Sequence, residues 1–364
     1  MNFLLNVDHL TSYRKKQIET FLNFTEKNNI KFVLLANSKN IKNLPSINEF
    51  VGKNYFIKSQ PIKFFRYYIW QPKLISYILK NKPKLAVIWG EVTRINSWII
   101  LILKNLKLIN TEIALWTHGI YGRENYIVKK FRLIYLSLSD HILVYSSYSK
   151  NLLVKNGIKK EKIFVIGNSI EKEKEYKLRK KKLYKKKILN LIFIGRVSKR
   201  KKIKFVKEII ENWNEDFFLT FTIIGPNIKY PKETEYKNSK LILKPAIYDP
   251  KLIQNYLDIA DYGICPDNIG LFCITCLNSG LPIICHNTYP LHGPEGYNLI
   301  PNENSINIKF PINKINIKES ILKAYKNKSN FSSNPRRVYD SLREEFKSSY
   351  VKKSINYFME TRFL

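Results

Sequence analysis

Hydrophobic positions along the chain fall into two kinds of run. Short, nearly continuous stretches of Val, Ile, Leu and Phe alternate with longer ones in which apolar residues return every three or four positions. The first pattern suits a strand covered by helices on both faces, and the second is the stripe of an amphipathic helix. In the first half, strands are predicted near Phe3 to Val7, Phe32 to Ala36, Leu85 to Trp89, Ile113 to Thr117, His141 to Tyr145 and Ile163 to Ile166. Helices are predicted over Ser12 to Glu26, Pro72 to Leu79 and Asn125 to Leu138. The alternation restarts with strands at Asn190 to Ile194, Leu219 to Ile224, Lys240 to Leu243, Tyr262 to Cys265 and Pro282 to Cys285. Buried strands separated by helices mean parallel sheets, so the fold class is α/β with two doubly wound halves. After Pro335, the apolar positions Val338, Leu342, Phe346, Tyr350, Ile355 and Phe358 mark one or two amphipathic helices.

At 364 residues the chain exceeds what one core of ordinary size supports, and 45% hydrophobic residues can fill two. The expected divisions are an N-terminal domain over 1–170, a connection over 171–187, a second domain over 188–334 and C-terminal helices over 335–364. The connection is placed by its charge, since Lys172 to Lys187 reads KEKEYKLRKKKLYKKK. Sixty-three Lys and Arg against 29 Asp and Glu give a net charge of +34, a balance that points toward nucleic acid or an anionic membrane surface. Heavy use of Lys, Asn and Ile is also what AT-rich codons produce, so local clusters say more than the total. The basic runs lack interleaved stacking aromatics and contain no nucleic-acid module, so specific nucleic acid is not an expected partner.

The opening Phe3-Leu4-Leu5 run is too short for a signal peptide and no basic stretch precedes it. The most apolar helical run, Trp98 to Leu103, falls well below the roughly 18 residues that span a bilayer. The expected location is cytoplasmic. The four cysteines, Cys265, Cys273, Cys276 and Cys285, lie close together in apolar surroundings, and they read as buried small hydrophobes rather than as zinc ligands or a disulfide framework.

Ligands of doubly wound sheets gather at the carboxyl ends of the strands, so the residues just after each strand carry the chemistry. Phe193-Ile194-Gly195-Arg196 leads through Lys199-Arg200-Lys201-Lys202 into an apolar helix pattern. Guanidinium, ammonium and helix dipole converge there on an anion such as a diphosphate, with a solvated basic turn as the bland reading. The strand from Tyr262 to Cys265 runs into Pro266-Asp267-Asn268-Ile269-Gly270-Leu271. Gly270 opens a helix whose backbone N–H groups can face a phosphate, and Gly280 closes it.

These stretches resemble, in order, the nucleotide-binding domain of retaining GT-B glycosyltransferases, family 4 in particular. The resemblance implies two Rossmann-like domains facing a cleft, with the C-terminal helices packing back on the N-terminal domain. It gives Gly195, Arg196 and Lys201 the donor diphosphate. Ala246 and Ile247, within Lys244 to Pro250, take the loop that lies against the base, and Leu252 to Asp261 resembles the helix leading to an Ala-Asp pair. The family's paired glutamates, with seven residues between them, fall on Asp267 and Thr275, a departure that leaves one carboxylate and one hydroxyl. Asn268, Ile269, Gly270 and Leu271 complete the donor loop, and Glu295 takes the place of a downstream Pro-Glu. In the first half, Leu115-Trp116-Thr117-His118-Gly119 resembles the strand end whose histidine reaches the donor sugar, which makes His118 a catalytic candidate. Tyr121, Arg123, Glu124, Glu91 and Arg94 are weaker acceptor candidates. Asp8-His9-Leu10-Thr11-Ser12 stands where the family has a Gly-rich loop.

No Asp-x-Asp occurs in the sequence, so no metal ligand and no cofactor are named, and basic residues must neutralise the leaving group. The expected reaction is transfer of a sugar from a nucleotide-sugar, a UDP-sugar first, to a glycan acceptor that is lipid-linked and presented at the inner membrane face. This would serve surface-polysaccharide synthesis, with the basic clusters attracting anionic lipid. The competing readings are a nucleotide-sugar epimerase, which leans on carboxylate acid-base pairs scarce here, and a degenerate, non-catalytic relative suggested by Asp267 and Thr275.

Overall fold

The structure is a computed structural model and describes residues 1–38, 47–64, 68–169, 187–288, 291–332 and 334–364. The basic connection expected over 171–187 lies outside the described residues except for Lys187. The chain divides into two compact units, one of residues Met1–Glu171 with Glu345–Leu364 and one of Lys172–Glu344.

The first unit runs β1 (Asn2–His9), α1 (Lys15–Lys27), β2 (Lys31–Asn37), β3 (Phe56–Lys58), an antiparallel pair β4 (Ile62–Phe64) and β5 (Tyr68–Trp70), then α2 (Leu74–Asn81) and β6 (Leu85–Trp89). It continues with α3 (Ile95–Asn105), β7 (Glu112–Trp116), α4 (Tyr126–Ser137), β8 (His141–Val144), α5 (Ser147–Lys155) and β9 (Ile163–Val165). Its seven-stranded sheet has the order β3-β2-β1-β6-β7-β8-β9, parallel throughout. Alternation along the strands separates two cores. Phe3, Leu5 and Val7 of β1 face Phe21 of α1, whereas Leu4 faces the side covered by Ile100 of α3 and Tyr135 of α4. The predicted helix start at Ser12 is a 3-10 turn, Ser12–Arg14, before α1 proper.

The second unit runs β10 (Ile188–Ile194), α6 (Ile203–Glu211), β11 (Phe218–Ile224), β12 (Lys232–Glu235), β13 (Ser239–Lys244), α7 (Pro250–Ile259), β14 (Tyr262–Ile264), α8 (Phe272–Asn278) and β15 (Ile283–Cys285). It ends with β16 (Ser305–Asn307), α9 (Lys314–Lys326), α10 (Lys328–Ser332) and α11 (Pro335–Asp340). The sheet order is β12-β13-β11-β10-β14-β15-β16, with only β12 antiparallel to its neighbour. In both sheets the order reverses beside the first strand, between β1 and β6 and between β10 and β14. These are the crevices where an open α/β sheet takes ligands.

The segment over 335–364, expected as one C-terminal piece, is shared between the units. Val338 and Leu342 are buried, and Arg343 bonds the loop at Tyr297 and Asn298, which keeps α11 with the second unit. The last helix, α12 (Ser348–Phe363), belongs with the first unit, where Val351, Ile355, Phe358 and Phe363 join the core under β1 and α1. Within the first unit, the chain that returns at Glu345 packs closely on Gly167: its φ is +76°, and a Cβ there would lie 2.3 Å from the Glu345 carbonyl oxygen. The neighbouring Asn168 N–H donates to that same oxygen at 3.0 Å. Among the described residues no helix is long and apolar enough to cross a membrane.

Candidate functional site

In the second unit, β10 and β11 end side by side. The Gly195 N–H donates to Ile224 O at 2.8 Å, and a Cβ on Gly225 would lie only 2.3 Å from Gly195 O, so the end of β11 has no room for a side chain, while Gly195 itself takes a φ of +139°. Arg196 then projects exposed from the strand tip and makes no hydrogen bond or ion pair among the described residues. Lys201 behaves differently. It sits in a 3-10 turn and its ammonium donates to the carbonyls of Asn268 (2.6 Å) and Ile269 (3.2 Å), joining the β10 loop to the β14 loop across the sheet's point of reversal. Asn268 and Gly270 both have positive φ, +48° and +59°, so those carbonyls bunch where one ammonium can reach both.

Asp267 is held by two histidines that sequence reasoning does not single out. His286, fully buried after β15, places Nε2 3.2 Å from Asp267 Oδ1, while its Nδ1 accepts the Thr288 N–H at 3.2 Å. His292 stacks on it at 4.0 Å, donates from Nε2 to His286 O at 2.6 Å and accepts the Ile269 N–H on Nδ1 at 3.4 Å. These bonds assign both rings as neutral Nε2–H tautomers. Burial alone would raise the Asp267 carboxyl, but the hydrogen bond from His286 holds it below its ordinary range. Burial above all pushes His292 down to about 4. Asp267, His286 and His292 bring three potential metal-ligand atoms within 4.8 Å of one another. Both imidazole lone pairs, however, are already taken by backbone N–H groups, so the cluster is complete as a hydrogen-bond network that fixes Asp267.

The remaining donor candidates are placed around this loop. Thr275 is half-buried in α8 and turns its hydroxyl back to Leu271 O at 3.3 Å. Leu271 directly precedes α8, which is only seven residues long. Ala246 and Ile247 are half-buried in the loop after β13, ahead of Asp249, which caps α7 by accepting the Lys251 N–H at 2.7 Å. Glu295 is buried in a 3-10 turn after Gly293, beside Cys273. All four cysteines are free and buried, and burial pushes the Cys265 thiol up to about 11. Asp261, the acidic half of the Ala-Asp pair, is structural: it accepts the Asn190 N–H at 2.8 Å and pairs with buried Lys328 at 3.0 Å.

In the first unit, the strand ends carry a dense polar set. Asp8, near the end of β1, is ion-paired with Arg94 after β6, across that sheet's own reversal point. Arg132 of α4 lies 3.3 Å from Glu91, donates to Gly119 O at 3.2 Å and stands 3.8 Å from Glu124, whose Oε1 accepts the Tyr121 N–H at 2.7 Å. The Arg14 guanidinium covers the Trp89 ring at 3.8 Å. His118 lies beside Tyr145, ring centroids 4.7 Å apart, and its Nδ1 has no hydrogen-bond partner among the described residues. Burial first, then Arg14 and Arg132, press its pKa down to about 3, so it is a neutral imidazole. Burial likewise raises the Asp8 and Glu91 carboxyls, with Arg94 and Arg132 respectively pulling back. Arg14 and Arg132 escape the sequence reading because each sits inside a helical pattern that gives no sign of what it faces.

No protein-family model matches the chain, and no curated protein does. Solved structures match it over nearly its whole length. The lipopolysaccharide outer core galactosyltransferase WaaB, in its apo form, superposes with a TM-score of 0.65 at 10% identity, covering 99% of this chain and 100% of that one. A glycosyltransferase from Rickettsia africae gives 0.65 at 14% identity, covering 99% and 97%. The UDP-GlcNAc 2-epimerase from Methanocaldococcus jannaschii gives 0.55 at 16% identity, covering 99% of each chain. The chain has the GT-B fold, with two Rossmann-like parallel-sheet domains.

Proposed function

We propose that this chain is a glycosyltransferase that moves a sugar from a nucleotide-sugar donor to a glycan acceptor. One observation carries the reading: exposed Arg196 at the tip of β10 and Lys201 beside the Asp267–Gly270 loop place two cations at the reversal point of the second sheet. Two positive charges there, one held by backbone carbonyls and one exposed, suit a diphosphate leaving group, whose developing charge they would stabilise. Asp267, held by His286, would accept a hydrogen bond from a sugar hydroxyl. A UDP-sugar is the favoured donor, in keeping with the UDP-GlcNAc for which the similar epimerase is named. A lipid-linked acceptor in lipopolysaccharide or other surface-polysaccharide synthesis is in keeping with the galactosyltransferase likeness. Retention at the anomeric carbon and independence of metal complete the proposal. His118, neutral and half-buried, is its candidate in the first unit for contact with the donor sugar.

The experiment is a thermal-shift screen of UDP-, GDP-, dTDP- and CMP-sugars, followed by product analysis with the stabilising donor in chelator. A stabilising UDP-sugar and acceptor-dependent release of UDP are expected. A donor requirement for divalent metal would remove the metal-independent form of the proposal. The epimerase likeness favours a second reading, in which the donor sugar is isomerised with no acceptor present. Isomerised nucleotide-sugar in that reaction would decide for it, and donor binding without any turnover would mark a non-catalytic relative.

A further inference from the structure

Helices α3 and α4 cover one face of the first sheet, and each carries a second apolar stripe turned away from it. On α4 the stripe is Ile127, Phe131 and Ile134, spaced i, i+4, i+7, with Ile127 78% exposed and Phe131 54%. On α3 it is Ile102 and, at the helix end, Leu106, which is 63% exposed. The two stripes adjoin. Trp98, one turn before Ile102, meets the Phe131 ring at 4.9 Å, and Asn105 donates to Leu138 O at 2.9 Å, so the helices lie side by side along that seam. Core packing does not explain these side chains, because Ile100, Leu101, Tyr135 and Leu136 of the same helices already fill the sheet-facing side.

A joined apolar surface of this kind on a folded protein marks something it meets. The charges around it say what. Residues 95–108 and 123–137 carry Lys104, Lys107, Arg123, Lys129 and Lys130 at the surface, with Lys104 reaching Asp140 at 3.3 Å, while the one carboxylate of these segments, Glu124, is turned to the buried Arg132 and the Tyr121 N–H. A second copy of a chain with net charge +34 would be repelled from such a rim, whereas an anionic lipid surface is attracted to it. We infer that the paired outer faces of α3 and α4 are a membrane-docking surface, with Ile127 and Phe131 entering the acyl boundary of an anionic bilayer and the flanking lysines contacting its headgroups. The inference deepens the proposal of a lipid-linked acceptor and rests on it for its purpose, while lipid binding itself is measured without donor or acceptor.

The test is flotation of the full chain with vesicles of phosphatidylcholine alone or with about 30 mol% phosphatidylglycerol, at low and high salt. The wild type should float with the anionic vesicles, and the double variant Ile127→Glu/Phe131→Glu should partition at least ~10-fold less while keeping its melting temperature, because both side chains are exposed. In a separate variant, Ile127→Trp, the emission should shift to the blue on adding anionic vesicles. Undiminished flotation of the double variant, or unshifted Ile127→Trp emission, would overturn the inference. So would a wild-type dimer that the double variant dissolves while vesicle binding stays the same. Loss of vesicle binding alongside unchanged donor turnover in solution would support docking whatever the acceptor proves to be, and lipid docking without any transferase activity would count against the proposed reaction and leave the surface assignment standing.

Discussion

His286 holds Asp267: its buried Nε2 lies 3.2 Å from the carboxylate Oδ1, while Thr288 fixes the opposite ring nitrogen. The carboxylate of the loop after β14 is thereby aimed by a residue nineteen positions further along the chain. His286→Ala should lower donor-dependent turnover by at least ~10-fold, since a small misplacement of a positioning group is costly, and His286→Asn should recover part of that loss. Steady-state kinetics check it, and equal turnover in all three proteins would leave the contact structural only.

Arg196 has no protein partner among the described residues and is exposed, so its removal should disturb chemistry and not folding. Arg196→Ala should reduce release of nucleoside diphosphate by ~100-fold, the equivalent of about 3 kcal/mol of lost charge stabilisation. The melting temperature should be unchanged without ligand, and the donor-induced rise should shrink.

Lys201 should respond in both ways. Lys201→Met leaves the Asn268 and Ile269 carbonyls without their ammonium and should cost about 1–3 kcal/mol of stability, read from urea midpoints, as well as activity. Lys201→Arg should restore stability more than activity, because a planar guanidinium does not reproduce an ammonium that bonds two adjacent carbonyls.

Acidification should weaken the fold. His292 is pressed down to about 4 in the native state from 6.5, so between those values the unfolded chain binds a proton that the native protein refuses. Stability is therefore undiminished above about pH 6.5 and falls as pH drops toward 4, by up to about 3 kcal/mol from this group. His118, lowered to about 3, acts in the same direction, and Asp267 adds a loss once the pH falls through its depressed pKa. Urea denaturation at pH 7.5 and pH 5 measures it, and His292→Asn should flatten the dependence.

Asp261 and Lys328 form a buried pair that also ties Ile188 and Asn190 of β10. Asp261→Ala should destabilise the second unit by about 3–5 kcal/mol, because a buried ammonium then loses its carboxylate counter-charge. Calorimetry of the full chain should register the loss.

Much of this was legible in the residues. Continuous apolar runs such as Leu85–Trp89 and Ile188–Ile194 became central parallel strands because only strands buried on both faces dispense with alternation. The short edge strands β3, β12 and β16 escaped, since β3 and β12 carry no fully buried residue and β16 spans only three. Gly195, Arg196 and Lys201 could be read because strand, turn and helix are contiguous. The His286–Asp267 contact could not, because it joins the ends of neighbouring strands whose register no local pattern reveals. Thr275 shows the limit of counting: its position follows from the spacing, but its hydroxyl bonds its own helix.

The return of α12 to the first unit has a consequence during synthesis. Val351, Ile355 and Phe358 cover apolar side chains beside α1 and β1 that are made more than three hundred residues earlier. While the ribosome translates the whole second unit, that flank of the first sheet stays bare, so chaperone occupancy should persist until residue 363 has emerged. A nonsense codon in the last turns of α12 would leave Arg196 and Lys201 in place and yet strip Phe358 and Phe363 from the core of the first unit.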